Sequence, residues 1–290
     1  MMKLLITGAY GQLGNEMRVA LQHYPQFTPV FTDADTLDIC DLQAVDAFVA
    51  AHRPDVLVNC AAYTAVDKAE DDEALCRKVN CDAVRNLGVV AQKYGLKIVH
   101  ISTDYVFDGT GHVPYTEDMP VAPNTVYGKT KLAGEQALLE VCSNALIIRT
   151  AWLYSGFGNN FVKTMLRLGA ERDRLNVVFD QVGTPTYAAD LAEAILQILS
   201  ADKFVPGIYH FTNEGVCSWY DFTTMIFRLA DVPCAVSPIE SKDYAYRTPR
   251  PHYSVLNKAK IKTVYGIEIP YWVDALERCL QVLRPTGVSD

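Results

Sequence analysis

Tyr127 and Lys131 stand four residues apart in the segment VYGKTKLAGE, which has the pattern of a helix. On a helix, side chains at this spacing share one face, about a turn apart. A free tyrosine has a pKa of about 10, and an ammonium within roughly 4–6 Å lowers it. Such a phenol can supply the proton that a ketone needs when a hydride reaches its carbon. An ordinary amphipathic surface carries the same pair, so other residues must decide.

A glycine-rich turn near the N-terminus is typical of a dinucleotide site. The segment TGAYGQLG follows an apolar strand candidate at residues 3–7 and contains Gly8, Gly11 and Gly14. Glycines at such a turn let the backbone approach a pyrophosphate. The helix that begins with Gln12 and Leu13 offers free N–H groups and a positive dipole end to phosphates.

Asp33 adds to this interpretation because it follows the second strand candidate, FTPVFTD. A carboxylate there can accept hydrogen bonds from the ribose hydroxyls and would repel a 2′-phosphate, which favours NADH over NADPH. An ordinary turn aspartate is the alternative. Together with the glycines, Asp33 predicts dinucleotide binding, with NADPH or NADH as the cofactor.

A hydroxyl is also expected at the end of a strand, where open α/β sheets bind their ligands. In HISTDYVF, Thr103 follows the strand and Asp104 comes next. Thr103 could orient a carbonyl group and stabilise the developing oxyanion. The alternative for a single strand-end threonine is a helix cap or a turn.

The elements that must position these residues are short apolar strands alternating with helices. This rhythm predicts an α/β fold, a doubly wound Rossmann-type parallel sheet covered by helices on both faces. Strands are expected at residues 3–7, 27–33, 55–62, 97–103 and 145–152, with a later candidate at 207–213. Helices are expected at residues 12–23, 42–51, 72–94, 125–141, 161–170, 188–200 and 219–230.

The rhythm changes after Trp152. We expect residues 1–152 to form the dinucleotide-binding domain and residues 153–290 to form mainly a smaller C-terminal substrate-binding domain, with some later segments returning to the first. Trp152 itself could contact substrate or pack at the domain junction. In YRTPRP, Arg247 or Arg250 could pair with a diphosphate, although loop arginines need no function.

Composition excludes several classes of protein. The net charge is −8 and no basic stripe is visible, which argues against a nucleic-acid partner. The eight cysteines form no C-x-x-C pair and no zinc-finger spacing, so reduced thiols in the cytoplasm are expected. No apolar run approaches the ~18 residues of a membrane span, and no signal peptide is evident.

The combined motifs resemble the extended short-chain dehydrogenase/reductase family, whose mark is Tyr-x-x-x-Lys with an upstream Ser or Thr. More closely, GxxGQLG, VNCAAYTAVDKAE, STDYVFDG, VYGKTKLAGE, RTAWLY and GNNF resemble the family of dTDP-4-dehydrorhamnose reductases. Sugar-nucleotide 4,6-dehydratases of this fold carry Thr-Asp-Glu where this chain has Tyr105 as the third residue. The resemblance therefore implies reduction of a C4 ketone without elimination.

The resemblance also assigns roles. Tyr127 would donate the proton, Lys131 would lower its pKa and bind the nicotinamide ribose, and Thr103 would complete the catalytic group. The implied cofactor-binding residues are Gly8, Gly11, Gln12, Leu13, Gly14, Asp33, Asp38, Ile39, Ala61, Ala62, Tyr63, Thr64, Tyr127 and Lys131. The implied substrate-binding residues are Thr103, Asp104, Trp152 and Arg250.

Two rival functions remain at this point. One is another nucleotide-sugar reductase or epimerase, and the other is a non-catalytic regulatory subunit of the type that binds a methionine adenosyltransferase. Intact Tyr127, Lys131 and Thr103 favour an enzyme. The resemblance allows Mg²⁺, but no carboxylate cluster in the sequence requires a metal. The sequence leaves the oligomeric state open, and a homodimer is one option.

Overall fold

A computed structural model describes residues 1–284 of the chain. The strands are β1 (Met2–Thr7), β2 (Phe27–Phe31), β3 (Val56–Asn59), β4 (Lys97–Thr103), β5 (Ala145–Thr150), β6 (Leu153–Tyr154), β7 (Arg174–Val178), β8 (Val182–Gly183), β9 (Thr186–Tyr187), β10 (Gly207–His210), β11 (Cys217–Ser218) and β12 (Ala235–Ile239). Six of them form one parallel sheet in the order β10-β5-β4-β3-β1-β2. The predicted α/β class with a parallel sheet is confirmed.

Helices connect these strands and cover the sheet. The helices are α1 (Gln12–Ala20), α2 (Leu42–His52), α3 (Val66–Ala69), α4 (Glu73–Arg77), α5 (Ala83–Tyr94), α6 (Val126–Val141), α7 (Phe161–Glu171), α8 (Ala188–Ser200), α9 (Trp219–Leu229), α10 (Ala259–Tyr265) and α11 (Trp272–Leu283). None of the helices within residues 1–284 is both long enough and apolar enough to cross a lipid bilayer.

The two faces of the sheet bury alternate residues of the same strands, as the period of two requires. On one face, Leu4 and Ile6 of β1 pack in a core shared with α1 and α8. On the other face, Leu5 packs in a core shared with α2, α5 and α6. All three residues are fully buried. The near-continuous apolar strands of the sequence are explained by this burial on both faces.

The strand order reverses between β1 and β3. The chain goes from β1 to its neighbour β2, and then crosses back to β3 on the opposite side of β1. The loops that follow β1 and β3 therefore leave the carboxyl edge of the sheet in opposite directions and open a crevice between them. Ligands of open α/β sheets bind at such a reversal. The glycine-rich turn begins at this crevice, with Gly8 directly after Thr7.

The predicted helix at residues 72–94 consists of α4, a π-helical turn at Lys78–Asp82 and α5, which follow one another without a break. Helix α6 passes very close to this turn: a Cβ on Gly134 would lie 2.0 Å from the backbone oxygen of Asn80. Single π turns of this kind occur inside α-helices, frequently at functional sites.

A third apolar cluster lies beyond the sheet, with Tyr154, Val162, Phe222 and Trp272 among its members. Strand β10 and helix α8, in contrast, belong to the sheet and one of its covering cores. The division into two domains at residue 152 stays a prediction. The last residues of the predicted second domain, 285–290, lie outside the described part of the chain.

Candidate active site

Helix α6 carries Tyr127 and Lys131, and two features fix its position. Its N-cap, Thr125, accepts a hydrogen bond from the backbone N–H of Gly128 at 3.0 Å. Deeper in the helix, the carboxylate of Glu135 accepts from Arg149 of β5 at 2.7 Å. Both of these charged side chains are at most 3% exposed, so the pair joins the helix to the sheet.

A cleft of about 1230 Å³ runs along the carboxyl edge of the sheet. Single-ligand sites measure roughly 300–1,000 Å³, so this cleft has room for a cofactor and a substrate together. The predicted site residues that line it are Gly11, Gln12, Leu13, Ala62, Thr64, Thr103, Asp104, Tyr127, Lys131, Trp152 and Arg250. The predicted residues outside its lining are Gly8, Gly14, Asp33, Asp38, Ile39, Ala61 and Tyr63.

Tyr127 is half-buried at the wall of this cleft, and its ring meets that of Tyr105 edge to face at 5.4 Å. Burial raises the pKa of the Tyr127 phenol above its ordinary range, although a hydrogen bond with the Thr103 side chain opposes the rise. Loss of water around the phenolate is the largest cause of this rise. Lys131 is not among its causes, and the lowering effect expected of Lys131 stays a prediction.

Lys131 is 1% exposed, and its Nζ donates to the backbone oxygen of Ile101 at 2.7 Å. A second neighbour of Nζ is His100 Nε2, at 3.4 Å. Burial lowers the pKa of Lys131 to about 8, against the opposing charges of Glu135 and Cys76. The amine can therefore change its charge close to neutral pH.

Thr103 and Asp104 form a small polar group beside the phenol. The Thr103 hydroxyl donates to Asp104 Oδ1 at 3.0 Å and accepts from the backbone N–H of Tyr105 at 3.2 Å. Thr103 thus makes a local turn contact, which was the alternative interpretation of this residue, and it also lines the cleft. Burial raises the pKa of Asp104 to about 7, although hydrogen bonds with the side chains of Thr103 and Ser254 oppose the rise. Asp104 also lines the cleft.

The glycine turn has the shape that a pyrophosphate requires. Gly8 has φ +66°, and a Cβ there would lie 2.6 Å from the backbone nitrogen of Ala61. A Cβ on Gly14 would lie 2.3 Å from the Gly8 oxygen, so the helix packs directly against the turn. Gly11 caps α1 without any side-chain hydrogen bond. The first N–H groups of α1 are therefore available to an anion, which fits a dinucleotide phosphate.

The predicted adenosine end lies next to this turn. Asp33 Oδ2 accepts from the backbone N–H of Tyr10 at 2.8 Å, which connects the aspartate to the glycine turn. Asp38 is exposed and its Oδ1 accepts from the Cys40 N–H, whereas Ile39 is buried in the sheet core. Asp33 thus contacts the turn, and none of the three residues lines the cleft.

The segment after β3 is held in place by Asn80 of the π turn. Asn80 Oδ1 accepts from the Tyr63 N–H at 2.9 Å, and Nδ2 donates to the Tyr63 oxygen at 3.0 Å. Ala62 and Thr64, on either side of Tyr63, line the cleft. The π turn thus fixes the backbone that is predicted to run beneath the cofactor.

Trp152 and Arg250 also line the cleft. Trp152 has φ +50° and stacks on Trp219 with ring centroids 3.5 Å apart, so it both lines the cleft and joins the third apolar cluster. Arg250 donates to Asp67 Oδ2 at 2.7 Å and lies 3.4 Å from the Tyr105 hydroxyl. Arg247 pairs with an exposed aspartate, Asp71, outside the lining.

Comparison with known proteins identifies the family. The family model described as RmlD substrate binding domain matches residues 2–284. The chain belongs to this family. This agrees with the motif-based resemblance to dTDP-4-dehydrorhamnose reductases, which is confirmed.

Several proteins are similar to this chain in sequence or structure. The dTDP-4-dehydrorhamnose reductase of Escherichia coli is 40% identical over 98% of this chain and 99% of its own. A probable dTDP-4,6-dihydroxy-2-methyloxan-3-one 4-ketoreductase of Streptomyces antibioticus is 44% identical over 95% of this chain and 93% of its own. The crystal structure of the Bacillus anthracis dTDP-4-dehydrorhamnose reductase in complex with NADP matches with a TM-score of 0.93 and 39% identity, over 97% of this chain and 99% of that one.

Sequence reasoning missed two groups of residues in this family member. One group forms the apolar end of the cleft and includes Phe161, Leu175 and Val177, which no local motif marks. The other is the buried pair Asn59 and His100 behind Lys131. For Asn59 and His100, the available signal was a polar residue in an otherwise apolar strand. Within residues 1–284, no group of three or more His, Cys, Asp or Glu side chains is arranged to hold a metal ion.

Proposed function

We propose that this protein reduces the C4 ketone of dTDP-4-dehydro-β-L-rhamnose to dTDP-L-rhamnose, with NADH or NADPH as the hydride source. The observation that carries the proposal is the arrangement of Tyr127, Thr103 and Lys131 around one cleft that begins at the glycine turn. The names of close relatives support the nucleotide-sugar ketone as substrate. A nicotinamide cofactor, when bound, supplies the hydride for the carbonyl carbon.

Tyr127 is the proton donor in this proposal. Because burial raises its pKa, the phenol stays protonated at neutral pH until a stronger base appears beside it. The alkoxide that develops when hydride reaches the carbonyl carbon is such a base. Thr103 holds the phenol and the substrate oxygen together, and Lys131 returns a proton to Tyr127 after each turnover.

Asp104 and Arg250 hold the substrate at its two ends. Asp104 lines the cleft, and its carboxyl group accepts a hydrogen bond from a sugar hydroxyl in this proposal. Arg250 is half-buried in the cleft wall and presents a planar fork of donors, which suits the diphosphate. To bind there, it exchanges its contact with Asp67 for one with the ligand.

The third residue of the strand-end motif separates reduction from elimination. Tyr105 stands where the 4,6-dehydratases of this fold carry a glutamate, so this position has a phenol and no carboxylate. The Tyr105 hydroxyl contacts Arg250. Burial raises the pKa of Tyr105 to about 12, so it is not a base at neutral pH. This supports reduction as the only reaction at the sugar.

A second candidate is a ketoreductase for another dTDP-sugar, which the Streptomyces antibioticus relative favours at 44% identity. Both candidates use the same proton donor and differ in the sugar that fits beside Asp104 and Trp152. The regulatory-subunit alternative needs neither Tyr127 nor Lys131, and their placement in one cleft favours an enzyme. For location, the eight free cysteines suit the reducing cytoplasm. A homodimer stays a prediction.

Nicotinamide oxidation by the purified protein tests the substrate. The protein receives dTDP-4-dehydro-L-rhamnose or another dTDP-4-keto sugar, with either NADH or NADPH, and the product is identified by mass spectrometry and NMR. Turnover to dTDP-L-rhamnose is the expected result. Turnover only with the other keto sugar would favour the second candidate. No turnover with any nucleotide sugar, despite tight dinucleotide binding, would contradict both.

A further inference from the structure

Three polar side chains lie side by side inside the central sheet. The register pairs Thr7 of β1 with Asn59 of β3, and Asn59 with His100 of β4. None of them is more than 1% exposed. Thr7 Oγ1 donates to Asn59 Oδ1 at 2.7 Å, and Asn59 Nδ2 lies 3.0 Å from His100 Nδ1. Since buried polar atoms without partners cost free energy, each of these groups has a defined orientation.

The backbone of Ala61 determines which way the amide of Asn59 points. Its N–H lies 3.1 Å from Asn59 Oδ1. A backbone N–H only donates, so the amide oxygen must face Ala61 and the amide nitrogen must face His100. That nitrogen also only donates, and His100 Nδ1 is therefore the acceptor.

The proton of His100 must then be on Nε2. Burial lowers the pKa of His100 well below its ordinary value, with a smaller contribution in the same direction from Lys131, so the ring is neutral. A neutral imidazole carries one proton, and Nδ1 is already an acceptor. The Nε2–H group lies 3.4 Å from Lys131 Nζ.

An ammonium group has three hydrogens and no lone pair, so it cannot accept the Nε2–H of His100. A neutral amine can accept it while it still donates to the Ile101 oxygen at 2.7 Å. We infer that His100 is a positioning residue, held by Asn59 as its Nε2–H tautomer, that shifts Lys131 towards the neutral amine. The consequence for catalysis rests on the proposed role of Lys131 as the proton source for Tyr127.

The other groups around Lys131 affect its protonation in opposite directions. Glu135, one turn further along α6, and Cys76 of α4 favour the ammonium. Arg149 of β5 neutralises Glu135 in the buried ion pair, and burial of Lys131 itself favours the amine. His100 is the neighbour that adds a directed N–H. A lysine balanced in this way can lose and regain a proton in every turnover.

The tautomer can be read in the wild-type protein by ¹H–¹⁵N multiple-bond NMR of the imidazole rings. We expect His100 to be protonated on Nε2 and not on Nδ1. His210 is an internal control, because its Nδ1 lies 3.1 Å from the Tyr115 oxygen, which only accepts, and so its proton is on Nδ1. Substitution of each histidine by phenylalanine assigns the signals. A proton on His100 Nδ1 in the wild type would overturn the inference.

Asn59→Asp provides a second spectroscopic test. The substitution places a carboxylate oxygen against His100 Nδ1, and Ala61 continues to donate to the other oxygen. Nδ1 should therefore become protonated, because it now faces only an acceptor. Thr7→Val removes one hydroxyl but keeps the Ala61 contact, so the wild-type tautomer should persist. An Asn59→Asp spectrum identical to the wild type would contradict the proposed hydrogen-bond direction.

The effect on Lys131 is measured with His100→Phe, which removes the N–H and keeps a planar ring. We expect the titration of the Lys131 Cε ¹³C signal, assigned with Lys131→Arg, to move up by about one pH unit. The alkaline limb of kcat/KM should move in the same direction. An unchanged Lys131 titration would overturn the inference. If His100→Phe does not fold, the tautomer of His100 in the wild-type protein decides whether the inference holds. These NMR measurements do not depend on turnover. A negative NMR result would therefore overturn the inference about His100 without contradicting the proposed function.

Discussion

Asp104 should make the stability of this protein depend on pH through the neutral range. Its carboxyl is 4% exposed, and burial raises its pKa from 3.8 to about 7. The folded state therefore holds a proton that the unfolded state has released between these two values. By linkage, stability falls as the pH rises through this window, at about 1.4 kcal/mol per unit for one group.

Asp104→Asn removes this titration while it keeps the shape of the side chain. Integrated from about pH 5 to about pH 8, the loss from Asp104 amounts to roughly 2–3 kcal/mol in the wild type. The free energy of unfolding of the variant should therefore rise relative to the wild type by that amount across the same range. Below about pH 4 the two proteins should differ least, because Asp104 is then largely protonated in both the folded and the unfolded wild type.

Urea unfolding of both proteins at several pH values, followed by circular dichroism, measures this difference. Asp202→Asn, on an exposed loop residue, is the control and should run parallel to the wild type. Parallel curves for Asp104→Asn and wild type would refute the reasoning. Asp104 would then be ionised in the folded protein at neutral pH, and its role as a partly neutral substrate contact would have to be abandoned.

Two further predictions concern the helix contact and the cofactor. Gly134→Ala should destabilise the protein by about 1–3 kcal/mol despite the better helix propensity of alanine, because the new Cβ would meet the Asn80 oxygen at 2.0 Å. Thermal unfolding measures this loss. A Tm at or above the wild-type value would contradict the prediction. Asp33→Asn should lower the ratio of the Kd for NADPH to the Kd for NADH by roughly tenfold, because the substitution removes a carboxylate that repels the 2′-phosphate of NADPH. Fluorescence titration measures both dissociation constants. An unchanged ratio would remove the argument for NADH.

Much of the fold could be predicted from the sequence because both faces of the sheet are buried. Burial on two faces requires the apolar strands that the sequence contains, and the helices between them leave few other arrangements. The predicted helix at residues 125–141 is confirmed as α6 from Val126, with Thr125 as its cap. The predicted strand at residues 55–62 ends at Asn59, because the Asn59 side chain turns to bind the N–H of Ala61.

The site could be predicted only where its residues lie close together along the chain. Tyr127 and Lys131 are four residues apart on one helix, so their shared cleft follows from periodicity. The contact of Arg250 with Asp67 spans 183 residues and depends on the path of loops that no local pattern specifies. The Asn59–His100 contact depends on strand order in the sheet, and the raised pKa of Tyr127 depends on how much water the folded cleft admits.

The central claim is that Tyr127 donates the proton in reduction of a nucleotide-sugar ketone. The most direct test is the single-turnover rate of nicotinamide oxidation with saturating dTDP-4-dehydro-L-rhamnose for wild type, Tyr127→Phe and Tyr105→Phe. Tyr105 is the matched control, because its ring lies edge to face with that of Tyr127 in the same cleft. We predict a loss of about 10²–10⁴-fold for Tyr127→Phe, with unchanged dinucleotide Kd, and a much smaller loss for Tyr105→Phe. A wild-type rate in Tyr127→Phe would contradict the claim.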